Sequence, residues 1–267
     1  MFLENILNKE IKGIIDTYPE VGKILEEYGI GCAPCSVGSC LMKDIVGIHN
    51  LDPLQEATLM YRIEKAIYPD REVPEPKVDL TKMAAPRKIT YSPSVKKLVD
   101  EHVLIKRLLA LIPSIVEYIE SSMELDKDLV LSCVDFIRNY ADKYHHMKEE
   151  DILFKYVDEN AEVIQIMYKD HDTGRNHIRQ VVEGVKSGDK AVIKEHLFGY
   201  MDLLTQHIKK EDEILYPWID RQLSDAQVGE MFQRCNDADA SVGDELPRKY
   251  ENFIIELEEK FLREVVK

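Results

Sequence analysis

The chain has 267 residues, of which 45% are hydrophobic and 32% charged, and its formal net charge is −15. The composition is ordinary for a soluble globular protein with a core. The negative charge disfavours nucleic acids and anionic membranes as partners, because both would repel the chain. No apolar run approaches the ~20 residues of a membrane span, and the N-terminus lacks the order of a signal peptide. We therefore expect a cytoplasmic protein.

Residues 1–68 predict a small helical N-terminal domain with clustered cysteines. Cys32, Cys35 and Cys40 lie in the stretch CAPCSVGSC, and the odd total of five cysteines argues against a disulfide framework. Three interpretations stay open: small residues that pack a tight turn, thiols for redox or transfer chemistry, or part of a metal or cluster site. Residues 69–93 follow with five of the 11 prolines, which predicts a linker.

The rest of the chain predicts an all-α fold. Long-period helical patterns run at about 94–123, 127–157, 160–187 and 189–222. The breaks between them are short enough to join antiparallel neighbours, so residues 94–222 predict an up-down-up-down four-helix bundle. Pro113 should kink the first helix rather than end it. Residues 223–267 predict one or two further helices that pack on the bundle.

Two of the predicted helices carry the same local pattern. The stretches HHMKEEDILF and HIKKEDEILY align without a gap when His145 is placed over His207. Glu149 then matches Glu211, so each helix offers a histidine and a glutamate four residues apart. Residues at this spacing share one helix face and can aim at a single point.

The doubled histidines and glutamates of the first stretch leave a choice of register. His146 and Glu150 have the same spacing as His145 and Glu149. The matching stretch has a single histidine at this place, which selects His145 with Glu149. His146 and Glu150 then fall about 100° further round the helix, where we expect a supporting role.

The first and third bundle helices each add a histidine in a suitable position. The candidate metal ligands are therefore His102, His145, Glu149, His171, His207 and Glu211. Imidazole and carboxylate groups converging in a bundle suit iron, manganese or zinc, and six such residues could hold two ions with open positions. We expect ordinary side-chain roles for the remaining histidines, His49, His177 and His196, and for the buried Cys133 and Cys235.

The order His…His-x-x-x-Glu…His-Asp-x-Gly…His-x-x-x-Glu resembles the hemerythrin-like, cation-binding four-helix bundle family over about residues 94–222. The stretches HDTGR, KEEDILF and KEDEILYP are similar to short sequence motifs that recur in this family. The resemblance implies a non-haem di-iron centre with an oxo bridge and with Glu149 and Glu211 as bridging carboxylates. Its ligands would be His102, His145, Glu149, His171, His207 and Glu211.

One position departs from the oxygen-carrying members, which have a second histidine on the third helix where this chain has Arg175. The ligand set instead resembles the iron–sulfur cluster repair branch, and the missing histidine is expected to open a coordination position. The stretch YPEVGKILEEYGIGCAPC is similar to the small domains that precede such bundles, although two residues here separate cysteines that are adjacent there.

The resemblance implies a protein that binds or processes nitric oxide or oxygen, with iron–sulfur proteins as partners in cluster repair under stress. The alternative is a non-enzymatic oxygen or iron sensor or store that signals to a partner. Nitric-oxide turnover favours the first function, and reversible binding favours the second. The sequence leaves the oligomeric state open, a homodimer included.

Overall fold

The computed structural model describes residues 4–28, 30, 41–43, 51, 53–74, 76 and 91–262. These residues are helical and contain no β-strand, only an antiparallel bridge between Glu10 and Leu41, which confirms the all-α fold class. The chain divides into two compact units, Met1–Thr90 and Tyr91–Lys267. Among the described residues, no helix has the length and apolar character needed to cross a membrane. The predicted roles of Cys32, Cys35, Cys40 and His49 fall outside the described residues.

The first unit has a hydrophobic core of its own. Its helices are α1 (Glu4–Leu7), α2 (Ile11–Thr17), α3 (Pro19–Glu27) and α4 (Pro53–Ile67). Apolar residues spaced by four along α4, namely Leu59, Ile63 and Ile67, place one face of that helix in the core. Val21 and Leu25 do the same on α3. The amphipathic periodicity of the sequence therefore accounts for the packing of this unit.

The second unit contains the bundle and two further helices. Its elements are α5 (Pro93–Ser121), α6 (Lys127–Phe136), the first π segment (Ile137–His146), α7 (Met147–Asp151), a 3₁₀ turn (Leu153–Tyr156), α8 (Glu162–Ser187), α9 (Lys190–Lys210), the second π segment (Glu211–Leu215), α10 (Tyr216–Asp220), α11 (Asp225–Val242) and α12 (Glu245–Leu262). Helix α5 continues through Pro113, as the resumption of apolar periodicity after that residue predicts. The two C-terminal helices, α11 and α12, pack against α5.

The four bundle helices are joined by short, well-capped connections. The Asp126 carboxylate accepts a hydrogen bond from the Leu129 amide at 3.0 Å and so caps the start of α6. Gly188 ends α8 with φ of 73°, a left-handed conformation that favours glycine. Asp189 then caps α9 by accepting from the Ala191 amide at 3.0 Å. Helix α9 packs on both α8 and α5, and α6 packs on α8, which closes the bundle.

A layer of buried polar side chains interrupts the apolar core of the bundle. One apolar cluster includes Leu104 and Tyr144, and a second includes Leu98 and Ile152. On α5, His102 lies in sequence between Leu98 and Leu104. On the second bundle helix, the segment His145–Glu149 lies between Tyr144 and Ile152. Burying such groups is costly unless they have partners, so this layer is where a site is expected.

Candidate metal centre

Seven buried side chains from all four bundle helices converge in this polar layer. They form two overlapping groups, and within each group the candidate ligand atoms all lie within 4.8 Å of one another. The first group is His102, His145, Glu149 and Glu211. The second group is His146, Glu149, His171 and His207. We call these position 1 and position 2.

Glu149 belongs to both groups and lies between them. Its Oε2 is 3.8 Å from His145 Nε2 in position 1 and 3.4 Å from His171 Nε2 in position 2. Glu211 spans the positions in a similar way, with Oε2 at 3.4 Å from His102 Nε2 and Oε1 at 3.0 Å from His207 Nε2. Both carboxylates therefore lie close to histidines of both positions.

Unpartnered atoms at the centre show that the residues fit metal ions. The buried atoms without a hydrogen-bond partner among the described residues include His102 Nε2, His145 Nε2, Glu149 Oε2 and both Glu211 carboxylate oxygens. Leaving such atoms unsatisfied is costly, and metal coordination would remove that cost. In addition, His171 Nε2 and His207 Nε2 are only 3.0 Å apart. Two nitrogens that are each about 2.1 Å from one ion and at about a right angle would have this separation.

A carboxylate lies behind the Nδ1 atom of every one of the five histidines. The distances are 2.8 Å from His102 to Asp212, 2.9 Å from His145 to Glu101, 3.6 Å from His146 to Asp142, 2.6 Å from His171 to Glu150 and 3.4 Å from His207 to Asp170. Metal-binding histidines almost always use the second ring nitrogen in this way, because the carboxylate fixes the tautomer and the ring orientation. The opposite ring nitrogen, Nε2, therefore faces the centre in four of the rings, namely those of His102, His145, His171 and His207.

Four of these five carboxylates are sequence neighbours of a ligand, yet they support a ligand on another helix. Asp212 follows Glu211 but contacts His102, and Asp170 precedes His171 but contacts His207. Adjacent residues on a helix point about 100° apart, so the neighbour of an inward-pointing ligand faces the next helix of the bundle. The supporting layer thus ties the four helices together around the centre.

Cationic side chains hold the supporting carboxylates in turn. Lys148 is buried and donates to Glu101, and Lys106 donates to Asp212 at 2.6 Å. Lys210 donates to Asp170 at 2.9 Å. Arg175 is shared, since it donates at 2.8 Å to Asp142 and at 2.7 Å to Glu150. These pairs neutralise the outer negative charge and leave the imidazole and glutamate atoms directed inward.

The electrostatic environment favours metal-binding forms of several ligands. Burial lowers the pKa of His145 well below its usual value and that of His146 to about 4, so both imidazoles stay neutral at pH 7. Burial alone would raise the pKa of Glu149, but the positive charge of His171, whose Nε2 lies 3.4 Å from Glu149 Oε2, lowers it well below its ordinary value. Neutral imidazoles and ionised carboxylates are the forms that coordinate metals.

Two other histidines at the centre favour the positively charged imidazolium form. Burial lowers the pKa of His102, but the hydrogen bond to Asp212 and the negative charge of Glu211 outweigh it and raise the pKa to about 9. The charge of Glu211 outweighs burial at His207 and raises its pKa to about 10. A bound cation would therefore take the place of protons between these histidines and Glu211.

Tyr216 closes the centre on the side of position 1. Its hydroxyl donates to Glu149 Oε1, and its ring stacks on His102 with centroids 5.6 Å apart. Burial raises the pKa of Tyr216 well above its ordinary value, so the phenol keeps its proton. Tyr216 thus fixes the shared carboxylate and holds a proton beside it.

The structure brings together all six residues that the sequence singled out, namely His102, His145, Glu149, His171, His207 and Glu211. It also adds His146, for which the sequence predicted a supporting role. Its neighbour Glu150 does lie in the supporting layer, against His171 and Arg175. The pattern Tyr-His-His at residues 144–146 was the available signal, but helical spacing by itself separates the two histidines by about 100°.

The first π segment explains why both adjacent histidines face the centre. This segment ends at His146 and includes His145. A π-helix fits more residues into each turn than an α-helix does, and such segments often occur at functional sites. The second π segment begins at Glu211, so both helices that carry a His–Glu pair depart from α-helical geometry at the centre.

The remaining histidines and cysteines of the bundle lie outside the centre. His177 and His196 contact each other, with their Nδ1 atoms 3.0 Å apart, and neither belongs to a ligand group. Cys133 and Cys235 are free and buried, as expected for small core residues. Burial raises the pKa of these thiols to about 12 and about 11, which keeps both protonated.

The bundle and its seven buried side chains define a class of protein: a helical bundle whose histidine and carboxylate groups could hold metal cations. The family model described as Hemerythrin HHE cation binding domain matches residues 94–219, so this stretch is similar to that domain. No curated protein and no solved structure matches the chain. The predicted boundaries 1–68, 69–93, 94–222 and 223–267 stay predictions.

Proposed function

We propose that the chain is a non-haem di-iron protein that binds nitric oxide or oxygen and takes part in the repair of iron–sulfur clusters under nitrosative or oxidative stress. The observation that carries the proposal is the shared carboxylate Glu149, which lies 3.8 Å from His145 and 3.4 Å from His171. A carboxylate shared between two histidine-rich groups suits a pair of closely spaced ions. The mixture of imidazole and carboxylate donors suits iron.

The residues of the chain divide the work at such a centre. His102 and His145 would hold one iron, His171 and His207 the other, and Glu149 and Glu211 would connect them. The iron pair, when bound, supplies the redox chemistry and the binding of the diatomic ligand. Tyr216 keeps a proton at its Oη beside Glu149, and the supporting carboxylates prevent the imidazoles from turning away. The fully buried ligands exclude bulk water from the centre.

Exposure of the reduced, iron-loaded full chain to nitric oxide tests the proposal. We expect a saturable change in the optical spectrum, and we expect a nitric-oxide-damaged iron–sulfur protein to regain its cluster faster when the full chain is present. Glu149→Ala is the matched control and should lose both effects, because its centre lacks the shared carboxylate. The repair function is wrong if the damaged cluster recovers at the same rate with the variant as with the native chain.

A sensor or store would give a different result in the same experiment. The ligand would bind reversibly, the nitric oxide would be recovered unchanged on purging, and cluster recovery would be unaffected. Consumption of nitric oxide in the presence of a reductant, in contrast, favours the processing function.

A further inference from the structure

We propose that His146 is a fifth histidine ligand, so that position 2 holds three histidines and position 1 holds two. This inference rests on the proposed di-iron function and deepens it, because it makes the two irons unequal. It also changes the expectation attached to Arg175: a histidine from the neighbouring helix replaces the one missing from the third helix.

The first support is the location of His146 among the ligands of position 2. One of its ring nitrogens lies within 4.8 Å of the ligand atoms of Glu149, His171 and His207. Its ring stacks on that of His171 with centroids 4.0 Å apart and an interplanar angle of 12°. The side chain is 5% exposed, so it is a buried polar group that needs a partner.

The second support is the lack of a conventional partner. His146 Nδ1 is buried and has no hydrogen-bond partner among the described residues. The nearest carboxylate oxygen, from Asp142, lies 3.6 Å away, beyond hydrogen-bond distance. An imidazole whose role was only structural would be expected to satisfy a buried nitrogen with the protein. A ligand role accounts for the position of the ring beside His171.

The third support is the supporting layer, which places a carboxylate beside His146 Nδ1 as it does for the four other histidines, although at 3.6 Å no hydrogen bond forms. Asp142 lies beside its Nδ1, and Arg175 holds Asp142 at 2.8 Å while also holding Glu150, the carboxylate behind His171. Arg175 therefore braces the two stacked rings of position 2 together. His177, which belongs to no ligand group, instead contacts another histidine, His196.

A cavity beside His146 makes the proposal testable with a small molecule. The cavity has a volume of about 370 Å³, and His146 and His171 both line it. Removal of the His146 side chain would extend this space to position 2. Free imidazole could then enter and supply the missing nitrogen ligand.

The test is the imidazole response of the iron-loaded full-length His146→Gly variant, measured by iron content and Mössbauer spectroscopy. The native centre should show two different iron environments. We expect the variant to release the iron of position 2 at least ~10-fold faster than the native chain, and we expect added imidazole to restore retention and the second environment. His177→Gly, which removes a half-buried histidine outside the ligand groups, should show neither effect.

A glutamine variant keeps the proposal falsifiable if the glycine variant does not fold. His146→Gln fills most of the space without an imidazole, and its fold can be verified by circular dichroism before iron is added. Unchanged iron release and unchanged Mössbauer parameters in a folded variant, with no response to imidazole, would overturn the proposal. That outcome differs from failure of the proposed function, in which the native chain holds two irons but does not react with nitric oxide.

Discussion

Replacement of Glu149 by alanine is expected to prevent the chain from holding a pair of metal ions. Glu149 is the one residue that belongs to both ligand groups, and it is fully buried between them. Its loss removes a ligand from each position and leaves the facing imidazoles without the negative charge that offsets a bound cation. Metal content measured on the gel-filtered protein should fall from about two ions per chain to one or none.

The adjacent Glu150 supplies a matched control for this variant. It lies in the supporting layer and accepts from His171 Nδ1 at 2.6 Å, so Glu150→Ala should keep two ions with an affinity lower by about 10–100-fold. Glu149→Gln tests whether volume alone matters, and it should resemble the alanine variant because the amide lacks the charge. If Glu150→Ala lost both ions and Glu149→Ala kept them, the assigned register of the helix would be reversed.

Replacement of Lys148 by methionine is expected to destabilise the metal-free protein by about 3–5 kcal/mol. Lys148 is 1% exposed and donates to Glu101 and, at 2.8 Å, to Asp239 of α11. Its ammonium group also lies 3.6 Å from the centroid of the Tyr144 ring. Methionine fills a similar volume but leaves the buried carboxylate of Glu101 without its cation. Denaturant unfolding monitored by circular dichroism measures the change in free energy.

Two comparisons isolate the buried pair in this measurement. Lys155→Met removes a cation whose partner Glu159 is 43% exposed, and it should cost at most about 1 kcal/mol. The double variant Lys148→Met, Glu101→Gln should recover part of the loss, because no buried carboxylate then lacks a cation. Equal unfolding free energies for Lys148→Met and Lys155→Met would show that the buried pair contributes no more than a surface pair.

Much of the fold follows from local sequence patterns. Apolar periodicity and short capped breaks placed the fourth bundle helix at about 189–222, and the structure has it from Lys190 to Asp220. The spacing of four residues between His207 and Glu211 directs both side chains to one point, as seen in their 3.0 Å contact. These features depend on neighbours along one helix, so a single sequence contains them.

The features that the sequence did not predict depend on contacts between helices or on a local change in helical geometry. Glu101 and Asp212 look like ordinary charges on a helix face, and only the packing of the bundle places them behind His145 and His102. The inward direction of His146 depends on the first π segment, whereas the prediction assumed α-helical spacing.

The most direct test of the centre is metal analysis combined with X-ray absorption spectroscopy of the full chain purified without oxygen. We expect about two iron ions per chain, close enough to give an iron–iron scattering signal, with nitrogen and oxygen ligands only. Glu149→Ala should lose the iron–iron signal. A chain that binds a single ion, or that holds zinc and cannot be loaded with iron, would contradict the proposed di-iron centre.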